Sequence, residues 1–215
     1  MSMTMFYNFL NASGETIYMV FLGCLISIIL GLPLGIYMYL CGVVRKRHKQ
    51  YEVISAIVNI ARSIPFIILM IALIPLTRLL VGSSIGTNAA IVPLSLGAIP
   101  FFARLIDNTC QGLPKGLIEA GEAMGANTWQ LVTQIIIPES LPAFIQDVTV
   151  LAVTLVNYSA MAGAVGGGGL GDLAIRYGYQ RFNPSVMIIT VLLLIILVQL
   201  IQAGGDKIAR HFNHN

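Results

Sequence analysis

The chain has 215 residues, of which 57% are hydrophobic and only 10% are charged. Soluble domains carry about 25% charged residues, so this composition excludes a soluble protein and indicates an integral membrane protein. The net charge of +3 is small and the basic residues cluster in particular loops, which bears on membrane orientation and gives no sign of nucleic-acid binding.

The first predicted membrane span covers residues 16–41, which is ample to cross a hydrocarbon core of about 30 Å. Gly31 and Gly35 within it favour a close contact with another helix. The segment before the span has no Lys or Arg and is too polar for a signal-peptide core, so no cleavage is predicted. The basic cluster at residues 45–49 follows, and the positive-inside rule places that loop in the cytoplasm and the N-terminus outside.

The second predicted span, residues 53–80, is broken by Pro65 and Pro75 and contains a charged residue, Arg62. A charge at that depth usually faces protein or a cavity and has a partner. Asp147 is the candidate, because both residues lie a few turns in from the cytoplasmic ends of their spans. A second interpretation stays open, in which Arg62 reaches the cytoplasmic interface or bonds to carbonyls that Pro65 frees.

The third predicted span covers residues 87–105 and again contains prolines, which fits bent helices around a transport pathway. Arg104 and Lys115 then mark the return to the cytoplasm. The long non-membrane segment at residues 112–140 is therefore predicted on the same face as the first basic loop.

This non-membrane segment is predicted to form two short helices that meet at a glycine corner. Residues 115–124 consist mostly of helix formers with apolar residues at helical spacing, which favours a short helix with one apolar face. Gly125 suits a left-handed stop, and Asn127 with Gln130 is typical of a capping box that opens a second helix. Pro138 marks the point where that second helix is expected to end or bend.

The fourth predicted span, residues 141–164, is the candidate for the helix that lines a pathway, because it carries several polar groups among aliphatic residues. The candidate pathway residues are Asn157, Tyr158, Ser159 and Met161. The flexible thioether of a methionine can move into and out of a narrow gap without leaving a polar group unpaired. We therefore expect the Met161 side chains of two symmetry-related chains to close the pathway. Ordinary helix packing of Met161 is the open alternative.

A glycine-rich loop follows the fourth span, and residues 166–171 formally contain a dinucleotide-binding pattern. A membrane helix precedes the loop where a strand is required, so nucleotide binding is excluded. The glycines here permit close approach of another protein, and Tyr and Arg side chains favour protein contacts, so this loop is the candidate for docking an external solute receptor. An aromatic belt at the membrane interface remains an alternative. The candidate docking residues are Gly169, Arg176, Tyr177 and Tyr179.

A fifth predicted span, residues 186–203, ends near Lys207 and Arg210, which places the C-terminus in the cytoplasm. The predicted fold is one all-α membrane domain over residues 1–215, with five transmembrane helices, the N-terminus outside and the C-terminus inside. No phosphate loop, no nucleophile with a nearby base and no metal-ligand spacing is present, so we expect neither an enzyme nor a cofactor in this chain. Five spans are few for a roomy pathway, which favours two copies around a twofold axis.

Part of the non-membrane segment resembles the "EAA" signature of ATP-binding-cassette importer permeases. The matching residues are Glu119, Ala120 and Gly121, then Gly125, then residues 135–138 ending in Pro138. The family has alanine at the position of Gly121 and leucine at the position of Ile137, and both changes keep small or aliphatic character. The resemblance implies a coupling helix that sits in a groove of a separate ATPase subunit, and the implied coupling residues are Glu119, Ala120, Gly121, Gly125 and Pro138. A generic cytoplasmic helical hairpin is the alternative.

Nearly the whole chain resembles the permease subunits of bacterial methionine importers, through residues 62–66, 158–166, 169–171 and 176–179. That resemblance implies a homodimer in the inner membrane, two ATPase subunits that bind ATP and Mg, an external methionine-binding protein and uptake of L- or D-methionine. Three alternatives stay open: an importer of the same architecture for another amino acid or small metabolite, an ion-coupled secondary transporter, and a membrane scaffold without transport activity. The secondary transporter is disfavoured because the sequence has no clear internal repeat and few carboxylates inside spans.

Overall fold

The computed structural model describes residues 3–45 and 47–212, and this part of the chain is helical without any strand. Lys46 of the predicted basic cluster lies outside the described residues. The α-helices are α1 (Met3–Tyr39), α2 (His48–Ser63), α3 (Phe66–Ala72), α4 (Ile74–Val81), α5 (Thr87–Gln111), α6 (Lys115–Ala123), α7 (Thr128–Gln130), α8 (Ile137–Gly163), α9 (Gly169–Leu173) and α10 (Pro184–Phe212). The π-helical segments that extend or join them are Leu40–Val44, Leu131–Ile136 and Ala174–Tyr179.

Four helical stretches of the described residues are long and apolar enough to cross a membrane. They are Met3–Val44, Thr87–Gln111, Thr128–Gly163 and Pro184–Phe212. A fifth span is present if α2 and α3 are counted together, although these two helices meet at an angle of 95°. The predicted all-α membrane class is confirmed, and the count is four or five spans.

The predicted second span is a chain of three helices with a break at Pro65. Ile64 has an extended backbone, with φ of −75° and ψ of 123°, because a residue before proline is excluded from the helical region. Pro65 also has no N–H for the helical ladder, so α2 ends and α3 begins beside it. The predicted break at Pro65 is confirmed, whereas Pro75 lies in the first turn of α4, a position that tolerates proline.

Several helix boundaries differ from the predicted ones, and α10, for example, continues to Phe212. Helix α1 begins at Met3, well before the predicted start, and α5 continues to Gln111. The second short helix of the non-membrane segment does not end at Pro138, because Thr128–Gly163 is one continuous helical stretch. Pro138 falls in the first turn of α8, directly after a π-helical segment whose wider turn accommodates the proline ring.

The centre of the molecule is the contact between α1 and α5. A Cβ added to Gly35 would lie 2.5 Å from the carbonyl oxygen of Ala103 and 2.7 Å from Cβ of Ile106, so only glycine allows this approach. Gly31 likewise faces Phe102. The predicted close contact at these two glycines is confirmed, and α8 completes the core beside them with fully buried leucines.

We expect Gly35→Ala to destabilise the protein, because the added methyl would push α1 away from α5 at a cost of about 1–3 kcal/mol. The same change at Gly14 is the matched control, since nothing lies within 4 Å of its Cβ position. Thermal unfolding in detergent should show a lower midpoint for Gly35→Ala and no loss for Gly14→Ala. Equal midpoints for the two variants would contradict the contact.

Candidate functional site

The glycine corner between α6 and α7 is built by local sequence signals. Helix α6 ends at Ala123, and Gly125 turns the chain with φ of +79°, a value that favours glycine. Asn127 Oδ1 accepts a hydrogen bond from the backbone N–H of Gln130 at 2.9 Å, and Gln130 Oε1 accepts one from the N–H of Asn127 at 2.9 Å. The predicted glycine corner and capping box are therefore confirmed.

The corner has one buried face and one exposed face. Ile118 and Gly121 turn inwards, and a Cβ on Gly121 would lie 2.6 Å from Cδ1 of Ile135. Gly121 therefore holds α6 against the following helix and does not offer a surface to a partner, which corrects its predicted contact role. Glu119 and Ala120 are exposed on the opposite face.

Two large apolar side chains stand out on this corner. Met124 is exposed and Trp129 is 74% exposed, and the two side chains flank the turn at Gly125. Exposed apolar groups of this size, rimmed by polar residues, are typical of a contact surface for another protein. Contact of the corner with an ATPase subunit stays a prediction.

Helix α8 leaves one face uncovered by the rest of the chain. Val150, Asn157 and Met161 are all exposed and recur at spacings of seven and four residues, which puts them on one side of the helix, and the exposed Val165 follows just after the helix ends. Met161 is 47% exposed. Two of the four predicted pathway residues, Asn157 and Met161, thus share an uncovered face.

The other two predicted pathway residues point elsewhere. Ser159 is buried, and its hydroxyl donates a hydrogen bond to the carbonyl of Val156 at 2.7 Å, so it is removed from the pathway set. The ring of Tyr158 stacks on Phe66 of α3, with centroids 4.3 Å apart and an interplanar angle of 3°. Tyr158 lies beside the uncovered face and connects it to the break between α2 and α3.

The predicted ion pair between Arg62 and Asp147 is wrong within this chain. Asp147 Oδ2 instead accepts a hydrogen bond from Thr109 Oγ1 at 2.6 Å, which joins α8 to α5. Arg62 is exposed at the end of α2, next to the break at Pro65. The sequence analysis paired these two residues because they lie at similar depths along their predicted spans. Whether two side chains meet also depends on how each helix is rotated about its own axis.

A buried polar network between the first half of α2 and the last part of α5 escaped the sequence analysis. Asp107 is 0% exposed, and its Oδ2 accepts hydrogen bonds from Arg104 at 2.9 Å, from Gln111 at 3.0 Å and from the Tyr51 hydroxyl at 3.2 Å. Arg104 also donates to Ser55 Oγ at 3.1 Å. These bonds tie α2 to α5.

The sequence contained a signal for this network. Arg104, Asp107 and Gln111 recur at spacings of three and four residues, so they share one face if the helix continues past residue 105. The predicted third span ended at residue 105, which left Asp107 and Gln111 outside the helix that carries Arg104. Arg104 is thus a structural ion-pair partner as well as a charge that marks the cytoplasmic side.

The glycine-rich loop at the other end of the molecule is held against α1. The N–H of Gly169 donates a hydrogen bond to Glu15 Oε2 at 2.7 Å, and the N–H of Leu170 donates one to Thr16 Oγ1 at 2.9 Å. A Cβ on Gly169, whose φ is +74°, would lie 2.7 Å from Thr16 Oγ1. Gly169 is therefore an internal packing residue, which corrects its predicted docking role.

The rest of the predicted docking loop presents charged and aromatic groups outwards. Arg176 pairs with Asp172, whose carboxylate raises the pKa of the guanidinium further and keeps it charged. The guanidinium of Arg181 lies 4.4 Å from the ring centroid of Tyr177. Tyr179 is exposed, and so is Phe182 at 88%, a residue that the sequence analysis did not select.

Comparison with known proteins identifies a family and close relatives. Residues 31–210 match the family described as the binding-protein-dependent transport system inner membrane component. The probable D-methionine transport system permease protein MetI of Vibrio cholerae is 48% identical over 211 residues, which cover 95% of this chain and 92% of that protein. The D-methionine transport system permease protein MetI of Escherichia coli K12 is 48% identical over 165 residues, 76% of each chain.

Solved structures with this fold include a chain of the MetNI methionine ABC transporter in inward facing conformations. It is 47% identical to this chain with a TM-score of 0.97, and the match covers 100% of both chains. An amino acid ABC transporter with histidines has a TM-score of 0.79 at 17% identity, over 97% of this chain and 95% of the other. The second likeness concerns the fold alone.

We expect Tyr51→Phe to lower stability, because the lost hydroxyl donates to the buried Asp107 and accepts from Arg104 and Gln111. Losing a hydrogen bond to a buried charged group such as Asp107 costs about 1.5–3 kcal/mol, even though Arg104 and Gln111 still donate to its carboxylate. Tyr37→Phe is the matched control, since the Tyr37 ring is exposed on α1. The midpoint of thermal unfolding should fall for Tyr51→Phe alone, and a midpoint unchanged by Tyr51→Phe would argue against the network.

Proposed function

The chain belongs to the family of binding-protein-dependent transport system inner membrane components, and on this basis we propose that it is the permease subunit of an ATP-driven methionine importer. It carries L- and D-methionine across the bacterial inner membrane into the cytoplasm. The observation that carries the proposal is the likeness to the permease chain of a methionine transporter along the entire length, in both sequence and backbone. The alternative is an importer of the same architecture for another amino acid. Competition between methionine and other amino acids for uptake distinguishes the two.

The proposed topology has five spans, with the bent pair of α2 and α3 counted as one, an external N-terminus and a cytoplasmic C-terminus. Contacts between loops support it. The N–H of Gly86 donates a hydrogen bond to the carbonyl of Gly166 at 2.9 Å, and Glu15 of α1 accepts one from Gly169, so two connections and the first half of α1 meet at one end. At the other end, Tyr51 next to the basic loop bonds to Gln111, just before the glycine corner.

Energy for transport comes from a separate ATPase in this proposal, because the chain has no phosphate-binding loop of its own. Two ATPase subunits bind ATP and Mg, and each receives one glycine corner. The exposed Glu119, Met124 and Trp129 give the corner charge and apolar area for such a groove. ATP-driven closure of the ATPase pair then moves the corners and opens the pathway to each side in turn.

A second copy of this chain completes the pathway. The uncovered face of α8 carries Asn157, a polar group that is poorly suited to lipid, and the flexible apolar side chain of Met161. Two such faces around a twofold axis enclose a narrow route with a Met161 side chain from each copy as the gate. An external methionine-binding protein docks on the opposite end of the molecule, where Arg176, Tyr177 and Tyr179 lie.

We expect Glu119→Arg to abolish ATP-dependent uptake of labelled methionine into proteoliposomes that contain the chain, its ATPase and its receptor protein. Reversing this exposed charge places a cation where the ATPase groove receives a carboxylate. Glu52→Arg is the matched control, because Glu52 is equally exposed on the cytoplasmic side but lies on α2, away from the corner. Uptake that survives Glu119→Arg, or that is lost equally in the control, would contradict the coupling role.

We expect Met161→Ala to increase both the passive leak of methionine and the basal rate of ATP hydrolysis, because shortening the side chain opens the constriction between two copies. Met3→Ala provides the control, since Met3 is exposed at the far end of α1. Leak is measured as efflux of labelled methionine from loaded proteoliposomes without ATP. An efflux rate equal to that of the unmodified complex would remove Met161 from the gate.

A further inference from the structure

A small polar cavity opens at the break between α2 and α3. Its volume is about 110 Å³, and its lining residues are Ala61, Arg62, Ile64, Phe66, Leu69, Gly97, Phe101 and Tyr158. A single water molecule occupies about 30 Å³ in the liquid, so the cavity admits a group of several heavy atoms. The wall opposite α2 is the stacked pair of Phe66 and Tyr158.

Arg62 supplies the only charge in this lining. Within the part of the chain that the structure describes, no carboxylate lies within ion-pair distance of its guanidinium. Arg62 also makes no hydrogen bond to the side chains around it, whereas Arg104 on the neighbouring helix is fully engaged. An arginine with free donors in a cavity is equipped to bind a planar anion through two parallel hydrogen bonds.

The depth of this cavity argues against a role at the lipid surface. Gly97 and Phe101, which line it, flank the middle of α5, about 15 Å from either end at 1.5 Å per residue. The cavity that Arg62 lines therefore lies beside the middle of α5, well away from both ends of that helix. Charges at this depth mark pathways for ions and substrates, since leaving them in lipid is costly.

The cavity also adjoins the uncovered face of α8. Tyr158 belongs to its wall, and Met161 follows one turn later on the exposed side of the same helix. The cavity wall and Met161 are therefore about one helical turn apart along α8. The aromatic stack provides an apolar surface beside the charge, which suits a ligand with a carboxylate at one end and a thioether chain at the other.

We propose that Arg62 is a transit site for the α-carboxylate of the transported amino acid, with Phe66 and Tyr158 against its apolar side chain. This inference rests on the proposed function, because the ligand is the methionine that the complex carries. A single arginine without a second cation binds weakly enough for release, as a pathway requires. The ammonium group of the zwitterion stays on the side of the uncovered face of α8.

Variants of Arg62 in the complete reconstituted complex test this site. The readout is the amount of labelled methionine taken up per ATP hydrolysed, so that altered ATPase activity is corrected for. Arg62→Gln should lower this ratio by about tenfold or more, since a charge-assisted pair of bonds is lost, whereas Arg62→Lys should retain a larger share. Arg78→Gln is the matched control, because Arg78 is exposed on α4 and donates to Ser84 away from the cavity.

A ratio for Arg62→Gln equal to that of the unmodified complex would overturn the site, and so would equal losses in Arg62→Gln and Arg62→Lys. If Arg62→Gln does not assemble, Gly97→Ala decides, because its methyl would lie 3.1 Å from Cδ2 of Leu69 and narrow the cavity without removing charge. The ratio should then fall several-fold, and an unchanged ratio would overturn the site. An unmodified complex that takes up no methionine would refute the proposed function and the site together.

Discussion

The break of the backbone at Pro65 determines where the proposed pathway residues lie. Proline cannot donate to the helical ladder and forces Ile64 into an extended conformation, so α2 and α3 meet at 95° inside the membrane region. This bend lets Phe66 reach Tyr158 of α8 and leaves Arg62 at the rim of a cavity. An unbroken helix would carry these side chains past α8.

The buried network around Asp107 holds the bend from the end of the molecule that carries the glycine corner. Arg104 and Tyr51 fasten α2 to α5, and α5 leads into the glycine corner after Gln111. The close approach of α1 at Gly35 fixes α5 in turn. Under the proposed function, force on the corner therefore passes through α5 into α2 and reaches the break.

Local signals in the sequence were sufficient for part of this structure. The capping box at Asn127 and the corner at Gly125 depend on neighbours along the chain, and both were predictable. The partner of Asp147 was not, because it depends on how helices rotate against each other once they pack. Gly169 was selected for docking although it faces α1, since exposure is a tertiary property that glycine content does not reveal.

Accumulation of methionine against its gradient is the most direct measurement of whether ATP hydrolysis drives this permease. Proteoliposomes would hold the chain with its ATPase, ATP would be enclosed in the lumen, and the receptor protein with labelled methionine would be added outside. The account predicts an internal concentration well above the external one, lost with a non-hydrolysable ATP analogue and unaffected when ion gradients are dissipated. Accumulation that persists without ATP hydrolysis but collapses with an ion gradient would contradict it.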